Sequence, residues 1–373
     1  MIYLDHASTT KPCQQVLDTY KQVLDKYYIN SESIYPSGVA VNELMEKSRS
    51  QIADLLSVKS HEVIFTSGGS EANNLAIKGT ALKRSHLGKH IITTAVEHSS
   101  VINSCKWLEQ YFSFEVTYLP VDEKGCINID DLKNALRDDT ILVSIMYINN
   151  ESGAIMDIDA VKKNVRSYRN AYLHVDCVQA LGKIAIDLQD IDLASFSAHK
   201  INGLKGSGFL VKKQHVQLAE VISGGQQEFH LRGGTANACS NIVLAKTLRL
   251  ALENLPEKQQ KCQKLHDYLY QQLSNCDKVV INSSFEGSAN IINFSCLTVT
   301  SQVMMNALYN KGFEVSAQST CDSNDAYSRV IAQMTKNKDI LKSTIRVSIC
   351  YENTIDELDQ FINALKECIQ QYG

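Results

Sequence analysis

The chain has no apolar run of the roughly 18 residues that a membrane-spanning helix requires, so no membrane association is expected. It has no basic excess either. With 37 Lys and Arg against 41 Asp and Glu the formal charge is −4, whereas a nucleic-acid-binding surface announces itself as a basic excess or stripe. No nucleic-acid partner is expected on that ground. The opening MIYLDHASTT carries Asp5 and His6 and lacks a basic start followed by an apolar core, so a secretory signal is not expected. None of the 11 cysteines stands in a Cys-x-x-Cys pair, which removes zinc ribbons and thioredoxin-type motifs. An odd count spread over 373 residues is no small secreted disulfide framework. Most of these cysteines are expected to be buried thiols in a reducing cytoplasm.

With 44% hydrophobic and 21% charged residues, the composition is that of an ordinary soluble globular protein. The length exceeds what one hydrophobic core usually serves, so two lobes are expected. From Glu62 to Val211 short apolar runs alternate with helical patterns: EVIFTSG, HIITTAV, EVTYLPV, ILVSIMYI, AYLHVDCV, LASFSA and GFLVKK are the expected strands. Such alternation implies an α/β fold with a mainly parallel sheet covered by helices on both faces. In such sheets ligands sit beyond the carboxyl ends of the strands. Polar residues do cluster there: Ser67-Gly68-Gly69-Ser70, Glu97-His98, Asn149-Asn150-Glu151, Asp176 to Gln179, and Ser197 to Lys200. From Asn241 a helical stretch carries Leu244, Leu248, Leu252 and Leu255 at helical spacing, then Pro256 and a polar helix through Leu273, as a bridge into a smaller lobe. That lobe is expected to hold strands near Ser288–Phe294 and Ser343–Ile349 and a final amphipathic helix, Ile355–Ile369.

Each strand-end cluster has a chemical and a structural reading. Lys200 follows an apolar strand and precedes Gly203, Gly206 and Gly208. A lysine in a partly desolvated cleft has a lowered amine pKa suited to Schiff-base chemistry with an aldehyde; the alternative is a surface turn. Asp176 ends a strand, where an acid can keep a pyridinium nitrogen protonated or simply cap the next helix. Gln179 is placed to reach a substituent of such a ring. The Ser67-Gly68-Gly69-Ser70 turn before a helix can close N–H groups on an anion or serve as a capped turn. No Gly-Lys-Ser/Thr follows, so it is not a Walker A loop. His98 can stack on a flat heterocycle and move protons, or can be structural. No second histidine stands at metal-ligand spacing from it, and no metal site is expected.

Taken together, these parts match what a pyridoxal-phosphate site needs. The segments YLDHASTT, NSESIYPSG, FTSGGSEANNLAIKG, VEHSSV, RDDTILVSIMYINNESG, HVDCVQALGKIAIDL, SFSAHKINGLKGSGFL, LRGGT and STIRVSI resemble, in order and spacing, the class V aminotransferases. Within that group the chain resembles the cysteine desulfurases of the long-loop, iron–sulfur and nitrogen-fixation type. The resemblance implies a fold type I pyridoxal-phosphate transferase: a large domain, residues 14–257, with a mainly parallel seven-stranded sheet, and a smaller α+β domain from residues 1–13 and 258–373. It implies that Lys200 holds the cofactor, Asp176 pairs with its ring nitrogen, and His98 stacks on the ring. It further implies that Asn150 and Gln179 contact the ring and its oxygen, and that Gly69, Ser70, Ser197 and His199 contact the phosphate. Thr235 is implied to reach the phosphate of the partner subunit in a homodimer, and Arg346 to grip the substrate carboxylate. Cys321 falls where the family has its catalytic cysteine, whose thiolate takes sulfur from L-cysteine as a persulfide, leaves alanine, and passes the sulfur to an acceptor protein for iron–sulfur assembly or thiolation.

Three departures from the family pattern stand out. Gln318 and Thr320 replace a glycine and an alanine of the cysteine loop. Phe229 and His230 stand where arginine and glycine are common. The chain stops at Gly373 without the longer tail of members that dock a scaffold. Two other functions stay open at this level: a related lyase acting on selenocysteine, in which Cys321 matters less, and a degenerate, non-enzymatic partner protein.

Overall fold

The computed structural model describes residues 1–317 and 327–373. The chain opens with the short strand β1 (Ile2–Tyr3). Then β2 (Val63–Thr66), β3 (His90–Thr94), β4 (Glu115–Leu119), β5 (Thr140–Met146), β6 (Tyr172–Asp176), β7 (Leu193–Ser197) and β8 (Gly208–Lys212) form one seven-stranded sheet in the order β2-β8-β7-β6-β5-β3-β4. Only β8 runs against the others, pairing antiparallel with both β7 and β2. The sheet and its mainly parallel pairing are as the alternating pattern implies.

Successive strand residues point to opposite faces, and here both faces are dry. Phe65, Ile92, Val143, Leu173, Ala194 and Phe209 enter one core, while Ile64, Ile91, Leu142, Tyr172, Leu193 and Leu210 enter the other. That is why these strands read as nearly continuous apolar runs rather than alternating ones. The helix Gly69–Arg84 packs its buried Ala72, Leu75 and Ala76 on the second face, with Ile77 buried and Leu82 only half-buried. No helix among the described residues is long and apolar enough to cross a membrane.

A second core gathers around the sheet β12-β10-β9, made of β9 (Val279–Ile281), β10 (Ile291–Cys296) and β12 (Thr344–Ser348), with β11 (Phe313–Glu314) paired to β1. Leu4, Leu269, Phe294, Phe361 and Leu365 fill it. The closing helix, Ile355–Tyr372, begins with a capping box between Thr354 and Glu357, which satisfies two backbone N–H groups at once. The leucine stripe expected from Leu244 to Leu255 is interrupted. One helix ends at Leu252, Asn254 takes a left-handed conformation with φ 52°, and Leu255 opens the helix Leu255–Ser274 with Pro256 in its first turn.

The first residues tie the two cores together. Leu4 lies in the small core, Ala7 N donates to Ser348 Oγ at 2.9 Å, and Thr10 N donates to His199 O at 2.8 Å. The strand-end residues are thereby roofed by a strap from the other core.

Candidate active site

The cavity at the carboxyl edge of the large sheet has a volume of about 540 Å³. Gly69, Ser70, His98, Asn150, Asp176, Gln179, Ser197, His199, Lys200 and Arg346, drawn from five strand ends and the small core, all line it. One expected site residue among the described ones does not. Thr235 lies in an adjoining depression with Arg232, Gln227 and Asn237, and Cys321 falls outside the described residues.

The turn after β2 shows why glycines are needed there. Gly68 has φ 148°, and a Cβ on Gly208 would stand 2.6 Å from the Gly68 Cα. A Cβ on Gly69 would meet Val178 Cγ2 at 2.7 Å. The backbone is thus drawn against the cavity floor, with the first N–H groups of the helix Gly69–Arg84 at its rim. These groups have no partners within the helix and favour an anion. Glu71 is held aside: its carboxylate accepts from Ser67 N at 2.9 Å and from Arg232 Nε at 3.0 Å, and these bonds hold its carboxyl below the usual range despite burial.

Asp176 and His98 are joined through a residue that the sequence did not single out. Asn73, buried in the helix Gly69–Arg84, donates one amide hydrogen to Asp176 Oδ2 at 2.7 Å and the other to Ser100 Oγ at 2.9 Å. Val178 N donates to Asp176 Oδ1 at 3.0 Å. Ser100 N donates to His98 Nδ1 at 3.2 Å, so Nδ1 is an acceptor, and the Ser100 hydroxyl, 2.8 Å away, also donates to it. The neutral imidazole therefore carries its proton on Nε2. Asn73 thus orients both groups at once. Asn73→Ala is expected to destabilise the fold by about 1–3 kcal/mol, since buried polar groups lose their donor, and to weaken pyridoxal-phosphate binding about 10-fold. An unchanged affinity in a spectral titration would show that Asp176 is held without it.

Lys200 Nζ donates to Ala7 O and to Ser8 O, both at 2.6 Å. Gln179 Nε2 donates to the same Ala7 O at 2.9 Å, and its Oε1 accepts from Lys183 Nζ. Burial, with the Lys200 charge adding to it, pushes the His199 imidazole down to about 4, so it is neutral. Arg346, 2% exposed, donates to Asn150 O at 2.8 Å, Asp5 Oδ1 at 2.7 Å and Ser8 Oγ at 2.6 Å. Its buried Nε has no partner among the described residues, an unused donor on a fork suited to a carboxylate. Beneath the floor, burial raises the Glu97 carboxyl to about 8, which leaves it mostly neutral near pH 7. Cys177, next to Asp176 but wholly buried, has its thiol pushed far above the ordinary value and is no nucleophile.

The segment carrying two departures from the family pattern is also defined. Glu228, Phe229 and His230 all take positive φ, at 47°, 56° and 64°. Glu228 turns inward to meet Arg49 Nη1 at 2.7 Å, Arg49 Nη2 at 2.9 Å and Phe65 N at 2.8 Å.

A profile of aminotransferase class-V proteins matches residues 2–361. A NifS/IcsS protein homolog of Lactobacillus delbrueckii subsp. bulgaricus is 40% identical, over 100% of this chain and 98% of its own. The cysteine desulfurase IscS of Dictyoglomus turgidum is 37% identical over 99% of this chain and 95% of its own. Among solved structures, a NifS-like protein superposes with a TM-score of 0.93 at 33% identity, covering 99% of each chain. SspA in complex with cysteine superposes at 0.82 with 28% identity, covering 94% of this chain and 99% of its own. With a site of this make-up on this fold, and relatives of that identity over nearly its whole length, the chain belongs to the class-V aminotransferase family, among its NifS-like cysteine desulfurases.

Proposed function

We propose that this chain is a pyridoxal-phosphate-dependent cysteine desulfurase that converts L-cysteine to L-alanine and collects the sulfur on Cys321 as a persulfide. One observation carries the reading: Lys200, Asp176, His98 and Arg346 line one cavity at the strand ends. The residues present suit the cofactor. Gly69 and the helix start behind it, with Ser70, Ser197 and His199, make an anion cradle. Asp176 offers a carboxylate to the ring nitrogen, Asn150 and Gln179 offer amides to the ring oxygen, and His98 offers a stacking face. Bound pyridoxal phosphate supplies an electron sink for negative charge developing on substrate carbon.

Lys200 Nζ is the amine that would hold the aldehyde of the cofactor. Arg346 binds the carboxylate of L-cysteine through its fork, and His98 Nε2 holds or delivers a proton beside the reacting atoms. The Cys321 thiolate attacks the sulfur of bound L-cysteine: the sulfur–sulfur bond forms as the carbon–sulfur bond breaks. The bonding pair leaves with the substrate carbon, which takes a proton to become the methyl of alanine. Cys321 lies outside the described residues, but the chain on both sides of it is anchored at the cavity. On one side Ser316 and Arg346 exchange backbone hydrogen bonds of 3.1 and 2.7 Å. On the other, Ser328 Oγ donates to Glu151 Oε2 at 2.6 Å, and Arg329 donates to the carbonyls of Ala95 and Glu97.

The reading extends to a homodimer in which Thr235 completes the partner's phosphate site, with the exposed Tyr28, Ile34 and Tyr35 offering an apolar face for a second copy. It extends also to a large domain at residues 14–257 with the remainder as the small domain, to a reducing cytoplasm in which the described cysteines stay unpaired, and to a sulfur-acceptor protein. In the presence of a thiol reductant, the protein should release sulfide and alanine from L-cysteine in equal amounts. Without the reductant, the Cys321 peptide should gain one sulfur atom by mass spectrometry. Cys321→Ser should lose both signals, and a variant that keeps full sulfide release overturns the nucleophile.

A further inference from the structure

Lys183 is a lysine on the inner side of the site with no ionic partner. It stands four residues beyond Gln179, one turn on, and donates to Gln179 Oε1. Among the described residues no carboxylate lies within ion-pair distance of this partly buried lysine. Its backbone is fixed by Gln259 Nε2, which donates to Lys183 O at 2.8 Å. The side chain lines a small enclosure of about 70 Å³ behind the main cavity, and Lys200 lines the same enclosure. Gln179 and Lys200 then meet on one acceptor, the Ala7 carbonyl. The result is a continuous path: Lys183 to Gln179, Gln179 to Ala7 O, Ala7 O to Lys200.

We propose that Lys183 is a positioning residue of this site, whose ammonium orients the Gln179 amide and holds a second positive charge beside Lys200, favouring the neutral, nucleophilic form of the Lys200 amine. The orientation follows from donor chemistry. An ammonium only donates, so it holds Oε1 of Gln179 and turns the Nε2 hydrogens toward Ala7 O and the cavity. The charge effect is mutual: two ammonium groups that line one enclosure each disfavour protonation of the other, a known way to activate a lysine. The groups around Lys183 are mostly cationic or neutral. Lys200 and Arg346 oppose its protonation, the Cys262 thiol weakly supports it, and the neighbouring His6 imidazole is pushed down to about 4 by burial and by Lys183 itself. Burial and these neighbours bring the Lys183 amine down to about 7, so its charge bears on Lys200 chiefly below that pH.

The proposal rests on Lys200 being the aldehyde-binding amine, and the experiment separates the two claims. Cofactor-free wild type, Lys183→Met and Lys183→Arg are mixed with pyridoxal phosphate, and the rate of appearance of visible absorbance is followed against pH. Lys183→Arg, whose charge persists at every pH, should show a midpoint about one pH unit below that of Lys183→Met, a nearby charge being worth about that much. Superimposable profiles for Lys183→Arg and Lys183→Met overturn the proposal. A wild type that takes up no pyridoxal phosphate instead refutes the proposed function. A second arm needs no cofactor. The folded-state pKa of Lys183 lies below its unfolded value, so its charge costs stability below about pH 7, and this cost fades as pH rises toward the unfolded value. Wild type should therefore gain melting temperature relative to Lys183→Met between pH 7 and 10. Parallel curves mean that Lys183 carries no buried charge, and the proposal fails.

Discussion

Lys200→Ala mixed with pyridoxal phosphate develops no visible absorbance, and its release of sulfide from L-cysteine falls by about 10²–10⁴-fold or more, the range for a positioned acid–base group. The expectation rests on place rather than on residue type. The Lys200 ammonium rests on two carbonyls of the N-terminal strap, Ala7 O and Ser8 O, within a cavity that Asp176 and His98 also line. The Ala7 carbonyl keeps a partner when the amine is gone, since Gln179 also donates to it. The melting temperature should therefore move little. A loss of activity accompanied by unfolding would point to a structural lysine. Retained absorbance would mean that another amine takes the aldehyde, and Lys183 would be the first to test.

Arg49→Ala is expected to destabilise the fold by about 3–5 kcal/mol, the cost of leaving a buried carboxylate without its ion-pair partner. Arg49 and Glu228 have side chains only 3% and 5% exposed and are joined by two hydrogen bonds. The Arg49 guanidinium also lies over the rings of Phe65, at 4.4 Å, and Phe229, at 5.1 Å, so truncation removes packing as well as charge. The pair has a second task. It holds Glu228, Phe229 and His230 in left-handed backbone that costs roughly 1–2 kcal/mol at each non-glycine position. This run leads directly into Arg232, which pairs with Glu71 at the cavity rim. Chemical denaturation of Arg49→Ala measures the effect, and a change below about 1 kcal/mol would show that the charge of Glu228 finds another partner or is not carried.

Much of this was readable in the chain. Most of the seven apolar runs became strands buried on both faces, where nearly every side chain meets a core, so they need no partner information to be recognised; the edge strand β4 is only partly buried. The polar clusters became cavity walls because parallel strands deliver all their carboxyl ends to one edge. Other features left no trace in sequence pattern. Asn73 looks like an ordinary helical asparagine, and nothing local says that its amide faces Asp176 and Ser100, which come 103 and 27 residues later. Ala7 and Ser8 act through their carbonyls, which every residue has. The break at Asn254 was hidden because Leu255 continues the leucine spacing across it.

The sequence by itself determined which residues end the strands, and so which chemistry is available: an amine, a carboxylate, an imidazole, a glycine turn and a guanidinium. Periodicity and residue type are local properties, legible along the chain. Only the tertiary structure decided which groups touch. The strap from the small core that covers Lys200, the amide that joins Asp176 to His98, and the Lys183 amine without a carboxylate among the described residues all depend on contacts between segments far apart in the chain or on burial. Burial sets pKa and hydrogen-bond partners through the surroundings of a group rather than through its neighbours in sequence.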